Sequence, residues 1–165
     1  PVHKVSIISR GRAAGYTLKL PDEDKKMQSR KEFIDELAVM LGGYVAEIDT
    51  FGDLTTGPSD DLKRATALAR RMITQYGMSD TLGARTFGKQ EEMIFLGRDI
   101  HEQRDYSEEV AQKIDAEIAR LMREAEASAR AILKEQKDKL EKIVAILLEK
   151  ETIEREAFEA IFKEA

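Results

Sequence analysis

From Ser107 onward, apolar residues recur at three- and four-residue steps: Val110, Ile114, Ile118, Leu121, Ala125, Ala129, Ile132 and Leu133. A helical period held for roughly seven turns commits this stretch to one long amphipathic helix and excludes an all-β fold. Ser107 stands where an N-cap belongs, followed by the acidic pair Glu108-Glu109. The stripe lapses at Gln136, and Asp138 with Glu141 gives a second capping signal, ahead of a separate helix carrying Leu140, Ile143, Val144, Leu147 and Leu148. Thr152 is read as the start of a last short helix with Ile153, Ala157, Phe158, Ile161 and Phe162.

The N-terminal residues follow a different period. Val2, Lys4, Ser6 and Ile8 share one parity, and His3, Val5 and Ile7 the other, with the β-branched content of a strand. Residues 10–15 supply a turn and Tyr16–Leu20 a return strand, so a β-hairpin is expected, closed by the polar Pro21–Asp24 segment. At Ser29 the period becomes helical. Ser29 and Glu32 form a capping box, and Phe33, Ile34, Leu37, Val39, Met40 and Leu41 predict a helix over residues 29–48. Gly42-Gly43 lies inside it. Each glycine costs about 1 kcal/mol relative to alanine there, which predicts close passage of another backbone.

A second helix is expected over residues 59–75, with Leu62, Ala65, Thr66, Ala69, Met72 and Ile73 as its buried stripe and Gly77 as its stop. Residues 77–106 hold four glycines and no long periodic run, with Met93–Leu96 as a short strand or loop anchor. A stretch this long without structure of its own is expected to be functional. The expected organisation is one mainly α (α+β) domain over 1–165, a helical bundle with a small N-terminal β-hairpin. Its parts are hairpin and loop (1–28), two helices joined by a turn (29–76), glycine-containing region (77–106) and C-terminal helices (107–165).

With 42% hydrophobic and 36% charged residues, the chain has the profile of a charge-rich folded domain. The net charge of −5, with basic and acidic residues interspersed, argues against a nucleic-acid partner. Lack of cysteine excludes thiolate metal sites and disulfides and is compatible with a reducing compartment. No apolar run reaches the roughly 18 residues that span a bilayer, so no membrane contact is expected of these residues themselves. Pro1 opens directly on a strand-like segment without an initiating methionine, as expected of a piece cut from a longer protein.

The residues with the most chemistry lie in Thr55-Thr56-Gly57-Pro58-Ser59-Asp60-Asp61-Leu62. Two adjacent carboxylates stand where a helix begins after a Gly-Pro turn. On position alone they serve a helix N-terminus, capping it and answering its dipole, or one of them ligates a metal. The only histidines, His3 and His101, lack the i, i+4 spacing of a His-Glu-x-x-His helix, so these residues cannot close a zinc site by themselves.

Several blocks in one order carry a resemblance. They are Pro1–Ile8 with Arg10-Gly11-Arg12-Ala13, then Leu41-Gly42-Gly43 with Ala46-Glu47, then Thr55-Thr56-Gly57, Asp61, Ala65-Thr66 and Ala69-Arg70. Tyr76-Gly77-Met78-Ser79, Phe95-Leu96-Gly97-Arg98, Tyr106-Ser107 and Glu151-Thr152 complete the series. Across the whole chain this resembles the FtsH family of membrane-anchored, ATP-dependent AAA+ zinc metalloproteases, in the part of the protease domain that follows the His-Glu-x-x-His helix.

The resemblance implies that Asp61 is the acidic third zinc ligand, with Glu47 and Asp60 as possible outer-shell partners. Glu47 is expected either to orient a histidine or to form a helix-surface pair. It also implies that the two histidine ligands, the glutamate base and an ATP/Mg-binding module lie upstream. The parent would be a homo-hexamer acting on unfolded and membrane proteins, at the cytoplasmic face of the bacterial inner membrane or an organellar equivalent. Two positions depart from the family: Asp60 stands where Asn is common, and Pro58 where Ala is common. The competing expectation is a non-enzymatic helical oligomerisation or adaptor module in which the two acids only start a helix.

Overall fold

The structure, a computed structural model, describes residues 1–9, 15–20, 27–88 and 105–163. It divides into two compact units, Gln28–Ala131 and Pro1–Met27 with Ile132–Ala165. The mainly α class holds: among the described residues, five helices accompany one small antiparallel sheet.

In the first unit, α1 (Arg30–Phe51) starts at the predicted capping box. The Ser29 hydroxyl accepts from the Glu32 amide while the Glu32 carboxylate accepts from the Ser29 amide. It ends at Gly52, whose left-handed φ of 68° lets its N–H donate to the Ile48 carbonyl at 2.9 Å. The helix therefore runs past the expected Ile48. Helix α2 (Ser59–Thr74) packs against α1. Phe33, Leu37, Leu41 and Val45 are buried from α1, and Ala65, Leu68, Ala69, Met72 and Ile73 from α2.

Periodicity misplaced two stripe residues of α1 and α2. Val39 is 57% exposed, and exposed Thr66 turns its hydroxyl back to the Leu62 carbonyl, leaving Leu68 to fill the core. Periodicity also assigned to the C-terminal stripes Ile132, Val144, Leu148 and Phe162, which are exposed because nothing among the described residues covers that flank. No neighbour lies within 4 Å of where a Cβ at Gly42 or Gly43 would stand, so among the described residues nothing passes close to this pair.

Helix α3 (Glu108–Glu135) begins as expected, with Ser107 Oγ accepting from the Val110 amide. Its buried face is Ala111, Ile114, Glu117, Ile118, Leu121, Ala125 and Ala129. Between α2 and α3, residues 77–88 form turns that bury Phe87, whose amide donates to the Thr74 carbonyl. The Met93–Leu96 segment, Arg98 and His101 lie outside the described residues, as does the 10–14 turn.

In the second unit, β1 (Val2–Ser6) and β2 (Tyr16–Lys19) form the expected hairpin, with a register shift between Val2 and Lys4. The sheet has a third member that periodicity missed. Thr152–Glu154 is not the opening of a helix but strand β3, paired antiparallel to β1 in the order β2-β1-β3. The reason is the unpaired edge of β1, which needs partners for its backbone groups. Ile7 N–H donates to the Glu151 carbonyl at 3.0 Å, and the buried Ser6 hydroxyl lies 3.0 Å from Thr152 Oγ1.

Helix α4 (Lys137–Lys150) is capped at Gln136 without a side-chain hydrogen bond, so the Asp138–Glu141 box does not form; Asp138 lies in the first turn instead. Helix α5 (Arg155–Lys163) follows β3 directly. The reversal from α4 into β3 is made by Glu151 at φ 57°, the one non-glycine with positive φ among the described residues. That conformation strains an L-residue by about 1 kcal/mol. Glu151→Gly is expected to raise stability by up to about 1 kcal/mol and Glu151→Val to lower it, read by urea denaturation.

Candidate metal-ligand turn

The candidate site is built from the end of α1, the turn at 53–58 and the first turn of α2. After Gly52 the chain has no regular hydrogen bonding of its own, so its amides need other acceptors. Glu47, on the last turns of α1, supplies them. Its Oε2 accepts from the Thr55 N–H at 2.9 Å and its Oε1 from the Thr55 hydroxyl at 2.8 Å. The Thr55 oxygen in turn accepts from the Gly57 N–H at 3.0 Å. Ser59 N–H then reaches the Thr56 carbonyl, and Leu62 N–H reaches the Pro58 carbonyl at 2.9 Å as the first full helical bond. A Cβ at Gly57 would stand 3.1 Å from both Glu47 Oε1 and Thr55 Oγ1, so only glycine fits without pushing them.

Helix α2 has Pro58 at its N-cap and no side-chain cap hydrogen bond. Asp60 and Asp61 therefore meet the helix dipole as first-turn charges but do not hold an orphan N–H. Pro58 is buried and has no amide hydrogen to lose at this position. Asp60 is exposed. Asp61 is half-exposed, with its Oδ1 3.7 Å from Arg64 Nη1. At that length and exposure the pair contributes little, so the carboxylate is available to another cation.

A carboxylate oxygen is a suitable zinc donor, and Asp61 fits the place of one ligand. Among the described residues no group of three or more His, Cys, Asp or Glu is gathered to hold a metal. His3 sits on β1 with its Nε2 3.2 Å from Arg155 Nη1. Glu47 is engaged with Thr55, and Asp61 with Arg64. Periodicity did not anticipate the Glu47–Thr55 bracket, whose sequence signal is slight: a Thr-x-Gly eight residues beyond a helical glutamate.

A second ionic cluster also went unread. Glu117 lies on the apolar stripe of α3, at three residues from Ile114 and four from Leu121, yet is buried. Its Oε2 accepts from Ser79 Oγ at 2.6 Å and its Oε1 from Arg120 Nε at 2.9 Å. The Arg120 guanidinium, ahead of the Ser79 and Thr81 hydroxyls and against the burial, holds the Glu117 carboxyl at about 2. Ser79 in turn accepts from the Leu82 amide, so Glu117 anchors the turn that follows α2. The same position within the stripe was its only sequence signal.

Comparison with known proteins adds to this geometry. The model of peptidase family M41 matches residues 1–161. An "ATP-dependent zinc metalloprotease FtsH 1" of Sphaerobacter thermophilus is 53% identical over 164 residues, 99% of this chain and 25% of that protein. A protein of the same name from a Thermoanaerobacter species is 51% identical over 98% of the chain and 26% of its own length. The "ATP-dependent zinc metalloprotease FtsH" of Thermotoga maritima is 48% identical over 99% of the chain and 27% of its length. The chain thus spans about a quarter of the length of the curated relatives it matches.

Proposed function

The chain belongs to peptidase family M41, and from that premise we propose that it is the C-terminal part of the protease domain of an ATP-dependent zinc metalloendopeptidase, with Asp61 as the acidic zinc ligand. The observation that carries this is the Thr55–Asp61 turn: a half-exposed carboxylate in only a loose ion pair, standing on a turn held from α1. Zinc, when bound, supplies Lewis-acid polarisation of a scissile carbonyl and activation of water. The chain's own contribution is narrower. Asp61 offers one anionic oxygen donor, which together with two neutral imidazoles leaves the ion a net positive charge. Asp60 adds a second negative charge beside it.

In this reading the histidine ligands, the glutamate base and an ATP/Mg module come from residues upstream of Pro1. The assembled protein is a homo-hexamer that degrades unfolded and membrane proteins, held at the cytoplasmic face of a bacterial inner membrane or its organellar counterpart. Among the described residues no helix is long and apolar enough to cross a membrane.

The encoded sequence just before Pro1 is expected to contain His-Glu-x-x-His. Residues 1–165 by themselves are expected to cleave no unfolded substrate such as casein, with or without added zinc. Zinc-dependent cleavage by 1–165 alone would overturn the proposed division of the site. Absence of the upstream motif would favour the helical adaptor.

A further inference from the structure

We infer that Thr55, gripped by Glu47, is a positioning residue for Asp61: the bracket sets the start of α2 in the protein without metal, so that the ligand is presented before the ion arrives. This rests on the assignment of Asp61 as a zinc ligand. Three observations support it independently of that assignment. Both oxygens of the Glu47 carboxylate are spent on a single residue, Thr55, through its amide and its hydroxyl. The Thr55 hydroxyl is bonded on both sides, donating to Glu47 and accepting from Gly57 N–H. Gly57 carries no side chain at the one place where a Cβ would press on both partners.

The bracket also replaces what α2 lacks. With Pro58 at the N-cap and no side-chain cap, no side chain at the N-cap of α2 holds the N–H groups of its first turn. The start is instead tied to α1, whose Leu41 and Val45 are buried in the core just before Glu47. This matters because Asp60 and Asp61 are adjacent and so differ by about 100° around the helix axis. The phase at which α2 begins decides which of the two carboxylates stands at a given bearing. A turn free to relax would present either one, and would have to be ordered by the ion at the expense of its affinity.

The test uses the full-length protein and four variants: Thr55→Val, Thr55→Ser, Glu47→Gln and Asp61→Asn. Zinc affinity is measured by competition with a chromophoric chelator. Amide hydrogen exchange at Gly57 is measured on the metal-free protein. Thr55→Val, which keeps shape and removes the hydroxyl, is expected to weaken zinc about 10-fold and to speed exchange at Gly57. Thr55→Ser, which restores the hydroxyl, is expected to return both toward the parent.

Unchanged affinity in folded Thr55→Val alongside weakened zinc in Asp61→Asn overturns the bracket and leaves the ligand assignment standing. If Asp61→Asn itself leaves affinity unchanged, the ligand assignment fails, and the inference with it. Should Thr55→Val not fold, Glu47→Gln decides, because its amide group turns a donor toward Thr55; unchanged affinity and exchange there overturn the inference. Weakened zinc in Glu47→Gln with parental values in folded Thr55→Val also overturns it, since Glu47 would then act on something other than the turn.

Discussion

Asp61→Asn in the full-length protein is expected to lower zinc affinity by more than the roughly 10- to 100-fold that outer-shell substitutions cost, and to abolish peptidase activity at limiting zinc. The amide keeps the size of the carboxylate and loses its charge, so the first turn of α2 should form as before. Its contact with Arg64 is long and half-exposed, and losing it should leave stability within about 0.5 kcal/mol of the parent. Affinity and stability therefore separate: a ligand role moves the first and a helix-start role moves only the second. ATP hydrolysis, assigned here to an upstream module, serves as the control for folding. Asp60→Asn is the paired comparison, since it removes the neighbouring charge and restores the residue common in the family. It should change zinc affinity far less than Asp61→Asn. Equal effects at the two positions would mean that the ion senses local charge rather than one ligand.

Glu117→Ala is expected to destabilise the chain by about 3 kcal/mol, the largest effect on stability foreseen here. The carboxylate is buried between Ser79 and Arg120, and its removal leaves the Ser79 hydroxyl without its acceptor. Arg120 keeps Glu124 at 2.8 Å, which holds the loss near the lower end of the range for broken buried pairs. The same group gives a pH dependence whose sign is fixed. Its carboxyl lies at about 2 in the folded chain against 4.5 for an ordinary glutamate, so the folded state prefers it ionised. The stabilisation is complete above about pH 4.5 and is lost progressively as pH falls toward 2. Urea denaturation at pH 7 and pH 3 should show the parent losing more stability than Glu117→Gln over that interval. Amide exchange should locate the change in the turn at 77–88, and an equal pH response in the two proteins would remove Glu117 from the account.

Much of the fold was legible because its elements carry strong periods. The α3 stripe, the Ser29–Glu32 box and the β1–β2 alternation each report a local preference that the packed structure retains. The misreadings share one cause. Thr152–Glu154 is three residues long and becomes a strand only because β1 has an edge to fill, a fact stored some 145 positions away. Thr66 and Val39 fit a helical stripe, yet which flank of a stripe is covered depends on what packs there. The Asp138–Glu141 box lost to a helix whose N-cap stands two residues earlier, at Gln136.

The candidate site divides the same way. Sequence alone determined that a carboxylate pair opens α2 after a glycine turn, that the chain has too few histidines to close a zinc site, and that the class is mainly α. It also carried enough ordered blocks to indicate the protease family. Only the tertiary structure decided what holds the turn. Glu47 could have faced a histidine, a lysine or water, and its pairing with Thr55 depends on how far α1 runs before Gly52 reverses it. Likewise Glu117 could have been one more surface acid, until the turn after α2 brought Ser79 against it. Period and composition are properties of neighbours in the chain. Hydrogen-bond partners of polar side chains are chosen by neighbours in space, and those exist only once the apolar faces have packed.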